Sequence, residues 1–138
     1  MVEIENLSLS YGNSPKVLKN ISLDVKKGEC VLFTGKSGSG KSSIINSING
    51  LVVRYDGASM GGTIRIDNKD IKNLELYEIS LLVSNVFQNP KTHFFNINTT
   101  LELLLYLENI GLSKKQMDER LNDMLDLFPI EHLLNRDI

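Results

Sequence analysis

Alternation of apolar and polar side chains marks the N-terminal part of the chain. Residues 2–11 alternate, with one break near Asn6, and residues 17–25 alternate again after a turn at residues 12–15. A period of two is typical of a strand with one buried face, and the break predicts a β-bulge. Two such strands joined by a short turn predict a small antiparallel β layer.

The next segment changes to a continuous apolar run and then to helical spacing. Residues 30–34 (Cys-Val-Leu-Phe-Thr) predict a strand buried on both faces, with Cys30 as a small, inert core residue. Apolar side chains recur at helical spacing in residues 44–51, and Gly50 is placed to end that helix. The order of strand, glycine-rich turn and helix predicts an α/β core.

The middle of the chain predicts short elements. Residues 54–62 form a polar, glycine-containing connection, and residues 63–66 alternate as a strand that is followed by a turn. Residues 75–80 predict a short helix, and residues 82–87 are β-rich. We expect the latter strand to end at residues 88–90, because Pro90 cannot donate to a β ladder.

The period becomes helical after residue 89. Residues 99–102 (Thr-Thr-Leu-Glu) predict a capping box for a helix that stops at Gly111, and residues 113–116 predict a second capping box. The second helix carries an apolar stripe that we expect to be core rather than a binding groove. The stripe consists of Met117, Leu121, Met124, Leu125 and Phe128. The pattern thus predicts an α/β core with its β layer in residues 1–88 and the beginning of a helical subdomain in residues 89–138.

The amino-acid composition argues against several classes of function. The net charge is −2 and the Lys and Arg residues are scattered, so no nucleic-acid surface is predicted. A lone Cys permits no internal disulfide and suits a reducing cytoplasm. No apolar run approaches the roughly 20 residues that span a bilayer. Residues 1–5 have neither the positive start nor the apolar core of a signal peptide.

Residues 35–42 (Gly-Lys-Ser-Gly-Ser-Gly-Lys-Ser) carry the strongest chemical signal. They match G-x-x-x-x-G-K-[ST], a loop whose glycines let backbone N–H groups converge on phosphate oxygens at a helix N-terminus. Lys41 is then expected to reach the β- and γ-phosphates, and the Ser42 hydroxyl to ligate Mg²⁺. The alternative, a flexible Ser/Gly linker, is disfavoured by the structured flanks. The predicted loop contacts are Gly35, Lys36, Ser37, Gly38, Ser39, Gly40, Lys41 and Ser42.

With its surroundings, this loop resembles the ATP-binding domain of an ABC transporter. Tyr11 ends the first strand, where the family places an aromatic ring against adenine, and Gln88 matches the family's Q-loop glutamine. Residues 86–90 (Val-Phe-Gln-Asn-Pro) and 107–112 (Leu-Glu-Asn-Ile-Gly-Leu) look most like the energy-coupling-factor branch, which imports vitamins and transition-metal ions. The resemblance implies an α/β P-loop NTPase fold with a small antiparallel β layer and a helical subdomain.

The resemblance also implies roles for single residues. Gln88 would contact Mg²⁺ and the attacking water, in a catalytic role beside Lys41, and would move with a membrane partner; the alternative is an ordinary polar loop residue. Tyr11 would stack on adenine, or only pack at the strand end. Ser43 replaces the usual threonine and keeps a hydroxyl near the α-phosphate. Asn68 stands where many relatives have glycine, and asparagine tolerates a left-handed backbone.

The sequence also departs from the family pattern. Residues 91–93 (Lys-Thr-His) replace the acidic and amide residues common in the branch, and His93 and His132 are expected at the surface. No Leu-Ser-Gly-Gly-Gln-like segment and no apolar run ending in Asp-Glu occurs. We therefore expect the N-terminal half of an ABC ATPase with an incomplete sheet, exposed apolar edges, poor stability in isolation and negligible hydrolysis by itself.

The implied function is that of the ATP-binding subunit of an ABC-type importer using ATP and Mg²⁺. Its implied partners are a second ABC ATPase domain, identical or paralogous, and a transmembrane subunit that contacts residues about 88–112. Its implied location is the cytoplasm, at the inner face of the membrane. The alternatives are a non-transport ABC protein, which predicts a basic surface, and a non-catalytic nucleotide-binding regulatory module.

Overall fold

A computed structural model describes residues 1–54, 57–89, 91 and 93–138. The chain forms two compact units, Met1–Asn85 and Val86–Ile138. Parts of three predicted segments lie outside the described residues: Tyr55 and Asp56 in the connection at 54–62, Pro90 after the β-rich run, and Thr92. The predicted functional division after residue 88 stays a prediction.

The first unit contains a four-stranded antiparallel sheet with the order β2-β1-β3-β4. Its strands are β1 (Val2–Tyr11), β2 (Leu18–Val25), β3 (Ala58–Ile66) and β4 (Lys69–Asp70). The pairing of β1 with both β2 and β3 is antiparallel. The predicted small antiparallel layer is confirmed.

A bulge in β1 keeps successive apolar side chains on one face. The register of β1 against β2 shifts between Ile4 and Leu7 and again between Leu7 and Leu9, and Asn6 has φ 52°. The extra residue lets Ile4 and Leu7 both face the core although they are three positions apart. The predicted break near Asn6 is confirmed. Asn20 of β2, with φ 53°, lies opposite the second register shift, between Ile21 and Leu18.

Strand β3 begins five residues before the predicted strand at 63–66. Residues 58–62 were expected to be polar connection, and this part of the prediction is wrong. Ala58 and Met60 are half-buried while Ser59 is exposed, so a weak alternation of buried and exposed side chains continues to the start of β3. There, Ala58 pairs with Tyr11 at the end of β1. Two left-handed residues, Asp67 (φ 46°) and Asn68 (φ 65°), then make the turn into β4, as a two-residue hairpin with right-handed strand twist requires.

One face of the sheet packs against short helices. Helix α1 spans Lys41–Ile48 and α2 spans Leu76–Ser80, with 3-10 turns at Val52–Arg54 and Ile71–Asn73. Gly50 ends the α1 segment as predicted, with φ 74°. A Cβ at this position would lie 2.6 Å from Ile79 Cδ1, so glycine also permits the close approach of α2. The buried apolar core comprises Ile4, Leu7, Leu9, Leu18, Ile44, Val52, Ile64, Ile66, Ile71 and Ile79.

Neither the buried parallel strand predicted at residues 30–34 nor the strand expected in the β-rich residues 82–87 is formed. Residues 30–34 and 82–87 lie in no strand; Cys30 is exposed, and the side chains of Leu32 and Val86 are 83% and 89% exposed. A strand that is buried on both faces needs neighbours to pair its backbone. No strand in the described part of the chain pairs with either segment. The predictions of a buried strand at residues 30–34, of a strand at residues 82–87 and of a buried Cys30 are therefore wrong.

The second unit contains α3 (Thr99–Asn109), α4 (Lys114–Leu127) and a 3-10 turn at Glu131–Leu133. The capping box of α4 between Ser113 and Gln116 is confirmed, and Gly111 (φ 78°) follows the end of α3 as predicted. The apolar stripe of α4 is only half-buried, and Phe128 is 59% exposed. No residue of α4 is buried, so the expectation that the stripe is core is wrong within this unit. No described helix is long and apolar enough to cross a membrane.

The cap of α3 differs from the predicted Thr99 box. Asn98 is the N-cap, and its Oδ1 accepts hydrogen bonds from Thr100 N and Leu101 N, at 2.9 and 3.4 Å. The Glu102 carboxylate, which the box would have used, accepts instead from the N–H groups of Phe95 and Asn96. Glu102 thus ties the preceding segment to α3.

Replacing Asn98 by Ala should destabilise the intact protein by about 1 kcal/mol, because two N–H groups of the first turn of α3 lose their acceptor. Thermal unfolding measures the effect. Asn122→Ala is the matched control, since Asn122 is exposed within α4 and alanine favours a helix interior. Equal melting temperatures for Asn98→Ala and Asn122→Ala would show that Asn98 does not cap α3.

Candidate nucleotide-binding site

Residues 35–40 form a glycine-rich loop directly before α1, and all of them except Gly40 are exposed. Gly35, Gly38 and Gly40 have φ values of 148°, 77° and 92°, a region that residues with a Cβ rarely adopt. Ser39 N donates to Lys36 O at 3.2 Å, which makes a tight turn within the loop. The three glycines therefore permit the sharply curved backbone on which a phosphate loop depends.

Gly40 fixes this loop to the sheet. It is buried, and a Cβ there would lie 2.9 Å from Leu18 Cδ2 and 3.4 Å from the carbonyl oxygen of Val17. Its own carbonyl accepts from Ile44 N at 3.0 Å, the first turn of α1. The loop thus enters the helix at a point packed against the start of β2.

Lys41 folds over the loop that precedes it. Its Nζ donates to Gly35 O and Lys36 O, each at 2.8 Å, and to Ser39 Oγ at 3.4 Å. These acceptors hold the ammonium on the loop rather than in open solvent. The positive charge therefore lies where the backbone N–H groups of the loop and the N-terminus of α1 also favour an anion.

The start of α1 leaves its backbone N–H groups available. Gly40, the N-cap, offers no side chain to accept from them, and no acidic residue occupies the first turn. The residues present therefore fit a phosphate chain: curved backbone, free N–H groups and one held ammonium. Ser42 is exposed and Ser43 half-buried at the same helix start.

The hydroxyl of Ser42 is one oxygen ligand of the kind that Mg²⁺ prefers. No group of three or more His, Cys, Asp or Glu side chains able to hold a metal occurs within the described ranges. With phosphate oxygens and water as further ligands, Ser42 would hold the ion.

Tyr11 and Gln88 are the two predicted site residues outside the glycine-rich loop and the start of α1. Tyr11 ends β1 in the first unit and is half-buried against the apolar core, so the packing interpretation has support and the stacking one stays a prediction. Gln88 is exposed and belongs to the second unit. The structure brings together residues 35–43, and the predicted roles of Tyr11 and Gln88 remain predictions.

One ring contact next to Gln88 was missed from the sequence. The rings of Phe87 and His93 stack, with centroids 4.1 Å apart and an interplanar angle of 11°. His93 was expected at the surface and is half-buried, whereas His132 is exposed. In the sequence, the available signal was a pair of planar side chains, Phe87 and His93, on either side of Asn89-Pro90.

The sheet, the short core helices and the glycine-rich loop before α1 define the fold of a P-loop ABC ATPase, here as a partial domain. Residues 18–138 match the family model described as ABC transporter. The chain belongs to this family.

Among curated proteins, the chain is 34% identical over 139 residues to a putative ABC transporter ATP-binding protein of Treponema denticola, covering all of this chain and 28% of that protein. It is 36% identical over 128 residues to a putative ABC transporter ATP-binding protein of Pyrococcus abyssi, covering 92% of this chain and 46% of that protein. The chain spans less than half the length of either relative.

Two solved structures share the fold. One is cbiO1 from Clostridium perfringens, described as part of the ABC transporter complex cbiONQ, with a TM-score of 0.82 and 26% identity over 99% of this chain and 53% of that one. The other is the ATP-binding cassette MJ0796, a dimer bound to ADP and Pi in a post-hydrolysis state. Its TM-score is 0.70, at 27% identity over 99% of this chain and 61% of that one.

Proposed function

We propose that this chain is an ATP-binding part of an ABC transporter ATPase. One observation carries the proposal: the Lys41 ammonium is held by Gly35 O and Lys36 O over a loop of left-handed glycines at the start of α1. In the intact protein this part would bind MgATP, and hydrolysis would drive transport. Family membership and the dimer of MJ0796 with ADP and Pi support this proposal.

Each site residue would have its own role in binding MgATP. The backbone of residues 35–43 would cradle the phosphates, Lys41 would offset their negative charge, and Ser42 would hold Mg²⁺. Gln88 would supply a second ligand to the ion and orient the attacking water. Residues 1–88 would then be the nucleotide-binding core, and residues 89–138 the beginning of the helical subdomain.

The finer proposal is an importer of the energy-coupling-factor type. The amino-acid sequences of residues 86–90 and 107–112 support this proposal, as does the similarity to cbiO1, which is described as part of the complex cbiONQ. The partners would be a second ATPase domain and a transmembrane subunit that contacts residues about 88–112. Several apolar side chains exposed in the second unit suit such a contact, among them Phe95 (85%) and Ile97 (81%). The location would be the inner face of the membrane.

The experiment that tests the proposal is a measurement of MgATP hydrolysis by the intact protein, alone and reconstituted with the membrane subunits that co-purify with it. The proposal expects hydrolysis that requires Mg²⁺ and that changes when the membrane subunits are present. A protein that neither binds nor hydrolyses ATP in either preparation would contradict it.

Tyr11→Ala should weaken ATP binding by about 1–3 kcal/mol, the contribution of one base stacked on an aromatic side chain. Equilibrium binding of ATP to the intact, folded variant measures the loss. Tyr11→Phe keeps the ring and should bind ATP as the natural protein does. Tyr77→Ala removes a 68% exposed tyrosine of α2 and is the matched control. If Tyr11→Ala binds ATP as tightly as Tyr77→Ala, Tyr11 only packs.

A further inference from the structure

We propose that Glu102 is a positioning residue for the contact with the membrane subunit. Its carboxylate fixes the backbone of residues 95 and 96, and the exposed apolar side chains on this segment are thereby held in place before the partner binds. This inference rests on the proposed function and deepens it, because it adds the chemistry of the partner surface and the residue that prepares the contact. All of the residues involved belong to the second unit.

The apolar segment, residues 94–97, exposes large side chains and lacks charge. Phe95 and Ile97 are 85% and 81% exposed, and Phe94 is exposed as well. Residues 93–101 contain no Asp, Glu, Lys or Arg. Exposed aromatic and aliphatic side chains without charges are typical of the centre of a protein interface. The surface that fits this segment is therefore an apolar, uncharged segment of the membrane subunit.

Glu102 fixes the backbone of the apolar segment from α3. Its Oε2 accepts hydrogen bonds from the N–H groups of Phe95 and Asn96, at 3.1 and 2.8 Å. The Asn96 side chain donates to the same oxygen at 3.2 Å. Hydrogen bonds to a carboxylate are stronger than those between neutral groups. Because Glu102 is half-buried in the first turn of α3, these bonds determine where Phe95 lies relative to that helix.

The other end of the apolar segment is also paired. Ile97 O accepts from Ile138 N at 3.0 Å, and Asn98 forms an antiparallel bridge with Asp137. The backbone on both sides of Asn96 is thus ordered without a partner. A surface that is already ordered loses less conformational entropy when it binds.

The test is equilibrium binding of the intact protein to its membrane subunits reconstituted in nanodiscs, with basal ATP hydrolysis as a second readout. Glu102→Ala should weaken binding roughly 3- to 30-fold, because the partner must then order residues 95 and 96 itself. Basal hydrolysis should not change, since Glu102 lies outside residues 35–43. Glu108→Ala is the matched control, because Glu108 is an exposed glutamate of the same helix, and it should bind as the natural protein does.

Two further variants separate the hydrogen bonds from the charge. Glu102→Gln keeps an oxygen acceptor without the charge and should restore most of the binding. Glu102→Asp keeps the charge but is one methylene shorter, so it should bind as weakly as Glu102→Ala and replaces that variant if it does not fold. A glutamine variant as weak as the alanine variant would overturn the inference. So would a Glu102→Ala variant that binds as tightly as Glu108→Ala.

The decisive readouts are backbone exchange and coupling to the exposed side chains. Glu102→Ala should speed hydrogen exchange of the Phe95 and Asn96 N–H groups, which lose their acceptor. In a background with Phe95→Ser and Ile97→Ser, Glu102→Ala should weaken binding no further, because all three substitutions remove one contact. Unchanged exchange at these two N–H groups, or additive losses of binding, would contradict the role of Glu102.

Other occupants of the apolar segment give different results. Protein-free nanodiscs of the same lipid should not bind the natural protein through Phe95 and Ile97. If Phe95→Ser with Ile97→Ser abolishes binding to such nanodiscs, the segment contacts lipid. If the same pair abolishes self-association of the protein but leaves binding to the membrane subunits unchanged, the segment contacts a second copy. Either result would overturn the inference.

Failure of the proposed function is distinguishable from these results. If the natural protein does not bind the membrane subunits, or if Lys41→Ala leaves hydrolysis unchanged, the proposed function fails. If the natural protein binds them and Lys41→Ala is inactive, while Glu102→Ala behaves like Glu108→Ala, the function stands and only the role of Glu102 is wrong.

Discussion

Lys41→Ala should lower ATP hydrolysis by the intact protein by roughly 100-fold or more and should weaken nucleotide binding as well. The Lys41 ammonium is the one charge held on the described loop by backbone acceptors, Gly35 O and Lys36 O. A phosphoryl-transfer site works mainly by stabilising charge with groups that are already in place, and removal of one such group typically costs 10²–10³-fold in rate. Steady-state kinetics and equilibrium ATP binding measure the two effects.

Lys19→Ala is the matched control for this prediction. Lys19 is exposed on β2, so its replacement removes the same charge from the same unit without touching the loop. We expect unchanged hydrolysis for Lys19→Ala. Hydrolysis by Lys41→Ala within twofold of this control would mean that the ammonium does not act on a phosphate.

Gly62→Ala should destabilise the protein by about 2–5 kcal/mol. Gly62 has φ 87°, a left-handed conformation that costs a residue with a Cβ about 1–2 kcal/mol. A Cβ would also overlap the backbone carbonyl oxygen of Glu5 and approach that of Asn6 to 2.5 Å. Both oxygens belong to the backbone of β1, and Glu5 pairs with Thr63 of β3, so overpacking against this backbone adds to the cost. The melting temperature of the intact protein measures the loss.

The neighbouring glycine provides the control. At Gly61 an added Cβ would have Ser8 Cβ at 4.0 Å as its nearest contact, which is ordinary van der Waals distance. Gly61→Ala should be neutral or slightly stabilising, because alanine loses less backbone entropy in a strand. Similar melting temperatures for the two variants would show that the β-bulge at Asn6 does not approach Gly62 as described.

The parts that the sequence predicted correctly are those decided by local chemistry. The break at Asn6, the helix stop at Gly50, the left-handed Asn68 and the Ser113 capping box depend on a few adjacent residues. Such features depend on backbone sterics and on nearby hydrogen bonds, so a short window contains the information needed. The curved glycine-rich loop belongs to the same group, because its glycines and Lys41 lie close together within residues 35–41. Its role in binding phosphate stays a prediction.

The errors arose where distant partners decide the structure. Residues 30–34 have the composition of a buried strand, yet no described strand pairs with them and Leu32 is 83% exposed. In the same way, the α4 stripe has helical periodicity but only half-buried side chains. Local pattern predicts which face is apolar, whereas tertiary contacts determine whether that face is covered.

Competition for one side chain explains the error at α3. The sequence of residues 99–102 allows a capping box, but the Glu102 carboxylate binds the N–H groups of Phe95 and Asn96 instead. Asn98 then caps the helix one residue earlier. The stack of Phe87 on His93 was missed for a related reason, since nothing in either residue alone specifies a partner six positions away.

Hydrogen–deuterium exchange of the intact protein, with and without MgATP, tests most directly whether residues 35–43 bind phosphate. Peptides that cover residues 35–43 should exchange more slowly with MgATP, because phosphate oxygens would accept hydrogen bonds from those backbone N–H groups. Peptides that cover the β3–β4 hairpin, residues 58–70, should exchange at the same rate in both samples. Unchanged exchange at residues 35–43 under saturating ATP, or protection confined to other parts of the protein, would contradict the assignment of this loop as the phosphate site.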